Sequence, residues 1–158
     1  MRPVNESQIQ AKIREFNTHL RKAGTLLAKT EADLSIKRVK EEIKRIRLRK
    51  SNELYDSIGN PAKGGIYEVS SKGYRITVGT TVPQGIIHEY GISSSWVIEP
   101  KSKKWLKFYW PKAGKNIYVK KVVHPPLPGK YFMLRGSLRA HEEMVQIAPR
   151  ILKAGGIV

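Results

Sequence analysis

Cysteine is absent from the 158 residues. That excludes disulfides and thiolate metal sites, and it leaves the redox compartment open. Long apolar runs are missing as well: no stretch approaches the roughly 18 to 20 apolar residues of a membrane-spanning helix. The opening Met1-Arg2-Pro3-Val4-Asn5-Glu6 turns polar at once, unlike a signal peptide, so a soluble intracellular product with no membrane contact is expected. Acid is the third scarcity. Thirteen Asp and Glu face 30 Lys and Arg, a net charge of +17. Between Glu99 and Glu142 no carboxylate side chain occurs.

Catalytic signatures are also lacking. There is no Gly-rich phosphate loop, no G-x-S-x-G and no two-His-carboxylate set. His88-Glu89 opens like a zinc helix, but Ile92 stands where the second His belongs. A nuclease needs a carboxylate cluster to hold its metal, and the acid-free stretch from Pro100 to His141 withholds one. The expectation is no enzyme, no metal and no cofactor. Glu89, a rare acid in this half, is expected to pair with Lys or Arg within the subunit or across an interface.

What is present is basic charge, unevenly placed. Residues 1–60 carry 14 Lys and Arg against 8 acids, and residues 61–158 carry 16 against 5. The middle uses lysine alone: Lys101, Lys103, Lys104, Lys107, Lys112, Lys115, Lys120, Lys121 and Lys130. Lysine is a point charge, whereas arginine offers the planar fork that reads bases. This pattern suits general electrostatic docking on a polyanion or an acidic protein.

Apolar periodicity divides the chain near residue 60. From Glu6 to Ala28, Ile9, Ile13, Phe16, Leu20 and Leu27 follow helical spacing, with Asn5 as cap. A second, longer helix is expected from Glu31 to Ile58, capped by Thr30 and stopped by Gly59. Leu34, Val39, Ile43, Ile46, Leu54 and Ile58 keep to one face of it. The short join at Lys29-Thr30 allows an antiparallel hairpin or a kinked continuation. Lys37, Arg38, Lys40, Lys44, Arg45, Arg47, Arg49 and Lys50 make the second helix strongly basic. They form either a solvated face or a surface for an acidic partner or nucleic acid. On the second reading, replacing Lys44, Arg45 and Arg47 by Glu should block assembly yet leave the subunit folded.

Beyond Pro61 the period falls to two. Tyr67 and Val69, then Tyr74, Ile76 and Val78, read as a hairpin turning at Ser71-Lys72-Gly73. Pro83 to Tyr90 reads as a short helix closed by Gly91. Strands follow at Trp96–Ile98, Trp105–Trp110 and Ile117–Val123, then a rigid linker from His124 to Gly129. A last helix is expected from Tyr131 to about Ala148, broken by Pro149, with a loose tail after it. Aromatics interleaved with lysines on the strands suit either a sheet with one wet face or a base-stacking surface. In the latter case Lys107, Lys112, Lys115, Lys120 and Lys121 would meet DNA.

Several blocks of residues 54 to 145, taken in order, carry a resemblance. They are Leu54-Tyr55-Asp56-Ser57-Ile58, Val78-Gly79-Thr80 and Ile87-His88-Glu89-Tyr90-Gly91, then Ile98-Glu99-Pro100-Lys101, Leu106-Lys107-Phe108, Val119-Lys120-Lys121-Val122 with His124-Pro125, and Phe132. They resemble the tail-completion, or head–tail joining, neck proteins of long-tailed bacteriophages, related to phage virion morphogenesis proteins. Three features depart from that family: Gln84-Gly85 replaces a frequent Tyr-Ala, Gly129-Lys130-Tyr131-Phe132 a frequent Arg-Pro-Phe, and the long basic helical hairpin is more elaborate than the family's minimum. The resemblance implies an α+β fold, a small mostly antiparallel sheet packed with helices over residues 61–158. The long N-terminal helical hairpin of residues 1–60 would precede it as an assembly element. It implies a structural virion protein in the neck, forming a ring of six or twelve copies between the DNA-filled head and the tail. Its partners would be copies of itself, the head connector on the portal side, the tail-tube proteins and the genomic DNA in the lumen. Subunit contacts are then expected at Lys37, Arg38, Lys44, Arg45, Arg47, Glu89, Lys101, Lys103 and Lys104. The competing class is a basic nucleic-acid-binding protein without sequence preference.

Overall fold

The computed structural model describes residues 6–48, 52–70 and 75–157. The fold is α+β. Among the described residues, helices α1 (Glu6–Arg45), α2 (Asn52–Ser57), α3 (Pro83–Tyr90) and α4 (Phe132–Ala154) accompany eight short strands that pair antiparallel, two by two. The chain forms two compact units, one of residues 1–85 with 131–158 and one of residues 86–130. The division expected at residue 60 falls inside the first unit, because α1 packs along α4, the last helix of the chain.

The N-terminal hairpin is not formed. One helix runs unbroken through Lys29-Thr30. Thr30 caps nothing; its hydroxyl donates to the Leu26 carbonyl at 2.8 Å, as Thr18 and Thr25 donate to Arg14 and Arg21 one turn back. This bond lets a threonine sit inside a helix. The helix ends thirteen residues earlier than expected, at Arg45. Arg47 takes the left-handed conformation, φ 57°. The Arg47 amide donates to the Lys44 carbonyl and the Leu48 amide to the Ile43 carbonyl. That is a Schellman motif with arginine in the place usually held by glycine.

α4 is longer than expected. Pro149 lies inside it, and the helix continues to Ala154. The missing N–H falls on the solvent side, where both Pro149 and Val145 are exposed, so water can satisfy the freed carbonyl. The expected loose tail is instead a second Schellman turn: Gly156 (φ 72°) donates to Lys153 and Ile157 to Leu152.

α1 and α4 pack antiparallel, Ala23 near Gly155 at one end and Val39 against Gly136 at the other. Small residues allow the approach: Ala23, Ala28, Ala32 and Ser35 are buried on α1, Gly136 and Ala140 on α4. A Cβ on Gly136 would stand 2.6 Å from the Val39 Cα. The core beside this crossing is Val39, Ile43, Leu54, Ile58 and Phe132. β1 (Gly65–Val69) and β2 (Ile76–Thr80) form a hairpin against α1, tied by the Tyr67 hydroxyl donating to Asp33 at 3.2 Å. The buried Ser57 hydroxyl bonds the Leu54 carbonyl and the Thr80 hydroxyl, locking α2 to β2.

α3, which begins in the first unit and ends in the second, and Gly91 (φ 77°) after it follow the expected bounds; the strands that follow belong to the second unit. β3 (Gly91–Ile92) pairs with β8 (Leu127–Pro128), β4 (Trp96–Ile98) with β7 (Val122–His124), and β5 (Leu106–Trp110) with β6 (Lys115–Val119). The single strand expected over Ile117–Val123 is two strands, parted at Lys120-Lys121 because β6 and β7 serve different partners. Nor is the proline-rich segment a bare linker: it supplies β8 and part of β7. The expected cap Asn5, the charges Arg49 and Lys50, and the turn at Ser71-Lys72-Gly73 with Tyr74 lie outside the described residues.

Candidate interaction surfaces

Three features could meet a partner. The first is the start of α1. α4 ends where Gly155 meets Ala23, and Gly156 faces His19. Residues 6–18 therefore overhang, and every one of them is exposed. At about 1.5 Å per residue the overhang extends roughly 20 Å. It is not polar all round: Ile9, Ile13 (54% exposed), Phe16 (52%) and Leu20 recur at steps of four, three and four. That spacing is the seam by which one helix packs on another. Sequence periodicity finds the stripe but does not say what covers it; burial on α1 begins only at Ala23.

A matching apolar surface lies on the same unit. A groove of about 430 Å³ runs between α1, β2 and α4, floored by Ile76, Val78, Leu134 and Leu138. Leu134 and Leu138 are more than half exposed. The Glu31 carboxylate and His141 Nδ1 lie 3.0 Å apart at its rim.

The second feature is the basic stretch of α1, which the structure turns partly inward. Glu42, only 3% exposed, accepts from Arg45 at 2.7 and 2.9 Å and from Arg139 of α4 at 2.8 Å. Arg38 donates to Glu41 at 2.7 Å and to Glu143 of α4 at 2.8 Å. These bonds set the charges. Arg45's hydrogen bonds hold the Glu42 carboxyl below the ordinary carboxylate range; burial pushes it up, and Arg139 adds to the lowering. Arg38 does the same for Glu41. The guanidinium groups of Arg38 and Arg45 rise in turn, each chiefly through its bond to glutamate.

Arg38 and Arg45, expected to face a partner, are thus committed within the chain: Arg38 ties α1 to α4, and Arg45 holds Glu42 on α1 itself. Lys44 lies over the Tyr55 ring at 5.2 Å, beside Lys40 at 5.3 Å. Lys37 and Arg47 are exposed. Glu89 is buried on α3 rather than displayed. Beside it His88 loses basicity to burial and to Lys130, and its Nδ1 meets no hydrogen-bond partner among the described residues. Lys101, Lys103 and Lys104 are exposed on the segment before β5. The structure does not gather the nine expected contact residues into one patch within either unit; it spreads them over α1, α3 and the β4–β5 connection.

The third feature is the β5–β6 hairpin. Its register sets Lys107 opposite Tyr118 and Tyr109 opposite Asn116. These four share one face, and Trp105 and Lys120 extend it. Every one of the six is exposed. Lys107 Nζ lies 5.7 Å from the Tyr118 ring centre and Lys120 Nζ 5.6 Å from that of Trp105. Of the five lysines expected to meet DNA, only Lys107 and Lys120 fall here. Lys115 takes the opposite face, while Lys112 and Lys121 lie in turns.

No three His, Asp or Glu side chains converge as a metal site would require, and no helix is long and apolar enough to cross a membrane, among the described residues. Comparison of the chain with protein-family models, curated proteins and solved structures finds no match.

Proposed function

We propose that this chain is a non-enzymatic structural subunit of a tailed-bacteriophage virion, forming a ring in the neck that joins the DNA-filled head to the tail. The observation that carries the assembly part is the α1 overhang. A helix that displays Ile9, Ile13, Phe16 and Leu20 to water has its partner outside its own chain. The groove floored by Leu134 and Leu138 offers the seat. Seam into groove is a heterologous contact, which repeats head to tail and closes into a ring when the rotation permits. The neck station itself rests on the resemblance of residues 54–145. On this reading the protein resides in the virion, at the junction between head and tail.

Two measurements test it. Sedimentation of the full chain should show closed oligomers, and removal of residues 1–18 should leave a folded monomer. Leu138→Lys should do the same from the groove side. A full chain that stays monomeric sinks the assembly reading, and a simple dimer sinks the head-to-tail contact. For the station, electron microscopy of particles made without this gene should show filled heads and finished tails lying unattached. Normal infectious particles would remove the neck reading. A second reading, a basic protein binding nucleic acid without sequence preference, is favoured by one observation: the exposed lysines of the acid-poor second unit.

A further inference from the structure

The two faces of the β5–β6 hairpin differ in a way that binary patterning does not explain. One carries Leu106, Phe108, Trp110, Lys115, Ile117 and Val119; Leu106, Ile117 and Val119 are half-buried, and the Phe108 and Trp110 rings stack on each other. The other should then be a plain wet face of lysines. Instead it displays three large rings: Tyr109 and Tyr118 are each 60% exposed and Trp105 42%. A two-stranded hairpin is marginal in water, and pairing a ring with a lysine returns only about 0.5–1 kcal/mol per contact. The rings are interleaved with ammonium groups, Lys107 resting over Tyr118 and Lys120 over Trp105. From Pro100 to Lys130 every Asp, Glu, Lys or Arg position is a lysine.

This chemistry selects a partner. Nine lysines with no carboxylate among them favour a polyanion, and the absence of arginine forks argues against base-edge reading. In a duplex the bases stack on one another and offer no face to an exposed ring. In a single strand they do, and stacking on aromatic side chains with phosphates on lysines is how such strands are held without sequence preference. We infer that the face formed by Trp105, Lys107, Tyr109, Tyr118 and Lys120 binds single-stranded nucleic acid. In the free chain the ammonium groups rest over the rings. A base that takes a ring face displaces the ammonium toward the adjacent phosphate. This inference deepens the second reading above and is independent of the neck station.

The test is fluorescence anisotropy with the full chain and two labelled probes, an oligothymidylate of about 20 nucleotides and a duplex of equal length, long enough for a site of this size. The single strand should bind at least about tenfold tighter than the duplex, stacking being worth roughly that per ring. Tyr109→Ala with Tyr118→Ala should remove most of that preference, and Tyr109→Phe with Tyr118→Phe should retain it. Lys107→Gln with Lys120→Gln should flatten the salt dependence on the single strand by about 1.4 in slope, roughly 0.7 for each phosphate that is no longer neutralised. Far-UV circular dichroism checks that each variant is folded. Duplex binding as tight as single-strand binding, or tyrosine variants without effect, overturns the inference while the second reading stands. No binding of either probe at about 50 mM salt, where phosphate contacts are strong, overturns both. The face would then belong to an acidic protein.

Discussion

Arg47 holds the left-handed position that closes α1, and it does so without a glycine's freedom. For an L-residue that conformation costs about 1–2 kcal/mol, while a cation at a helix C-terminus returns roughly 0.3–1 kcal/mol. Arg47→Gly should therefore stabilise the fold by about 0.5–1 kcal/mol. In urea the midpoint should rise with the slope unchanged. Glu42 makes the opposite case, a single side chain on which three bonds from two arginines converge. Its carboxyl titrates below the ordinary range in the folded chain. A carboxyl lowered by folding contributes stability that is present above its unfolded pKa and is lost as pH falls through the folded one. Glu42→Gln should cost about 1–2 kcal/mol at neutral pH, since its partners are themselves about half-exposed. The deficit relative to the parent should shrink as urea melts are taken from pH 7 down past the carboxylate range. An unchanged difference at low pH would remove the ion network from the account. The same geometry bears on the triple exchange of Lys44, Arg45 and Arg47 to Glu. Arg45→Glu would set a second carboxylate against buried Glu42, so that variant would not separate assembly from folding.

Among the elements, the α1–α4 pair carries the first unit, and its closest approach depends on Gly136. A methyl group there meets the Val39 backbone, which has no rotamer with which to yield. Gly136→Ala gains about 1 kcal/mol of helix propensity but should lose more by forcing the helices apart, for a net cost of roughly 1–2 kcal/mol. Thermal melts followed at 222 nm would register it. Nothing in the sequence marks Gly136, because a glycine inside a helical pattern carries no label of its neighbour. What is legible is local: the alternation of β1 and β2, the proline that opens α3, the glycine that closes it, and the apolar run Val39, Ile43, Leu54, Ile58 that makes the core. What is not legible depends on tertiary contact. The end of α1 lacks its usual glycine, Pro149 survives in a helix held along α1, and β6 and β7 part only because their partners differ. The sites follow the same rule. Lysines in acid-free segments stay on the surface as composition requires, whereas Arg38 is tied to Glu143 of α4 and Glu89 is buried by packing that linear spacing does not reveal; the Arg45–Glu42 pair, three residues apart on α1, is the kind of contact that spacing does show.

For the molecule as a whole, the two proposed activities respond to salt in opposite directions, which lets one titration separate them. Self-association through an apolar seam brings together chains that each carry a net charge of +17. Like-charge repulsion opposes that step, and added salt screens it over a Debye length that shrinks to about 8 Å at 0.15 M. The seam itself is apolar and is not weakened by simple salt. Ring assembly should therefore strengthen as salt rises, its midpoint concentration falling severalfold between low and physiological ionic strength. Binding of a single strand releases counterions and must weaken over the same interval. A strand bound at low salt also neutralises the second unit, so it should lower the concentration at which rings form. Sedimentation at a series of salt concentrations, with and without oligothymidylate, reads both effects. Assembly that weakens with salt would mean that ion pairs between copies hold the ring. In that case the exposed Lys37, Lys101, Lys103 and Lys104, rather than the seam at Ile9, Ile13, Phe16 and Leu20, would be the contacts to exchange first.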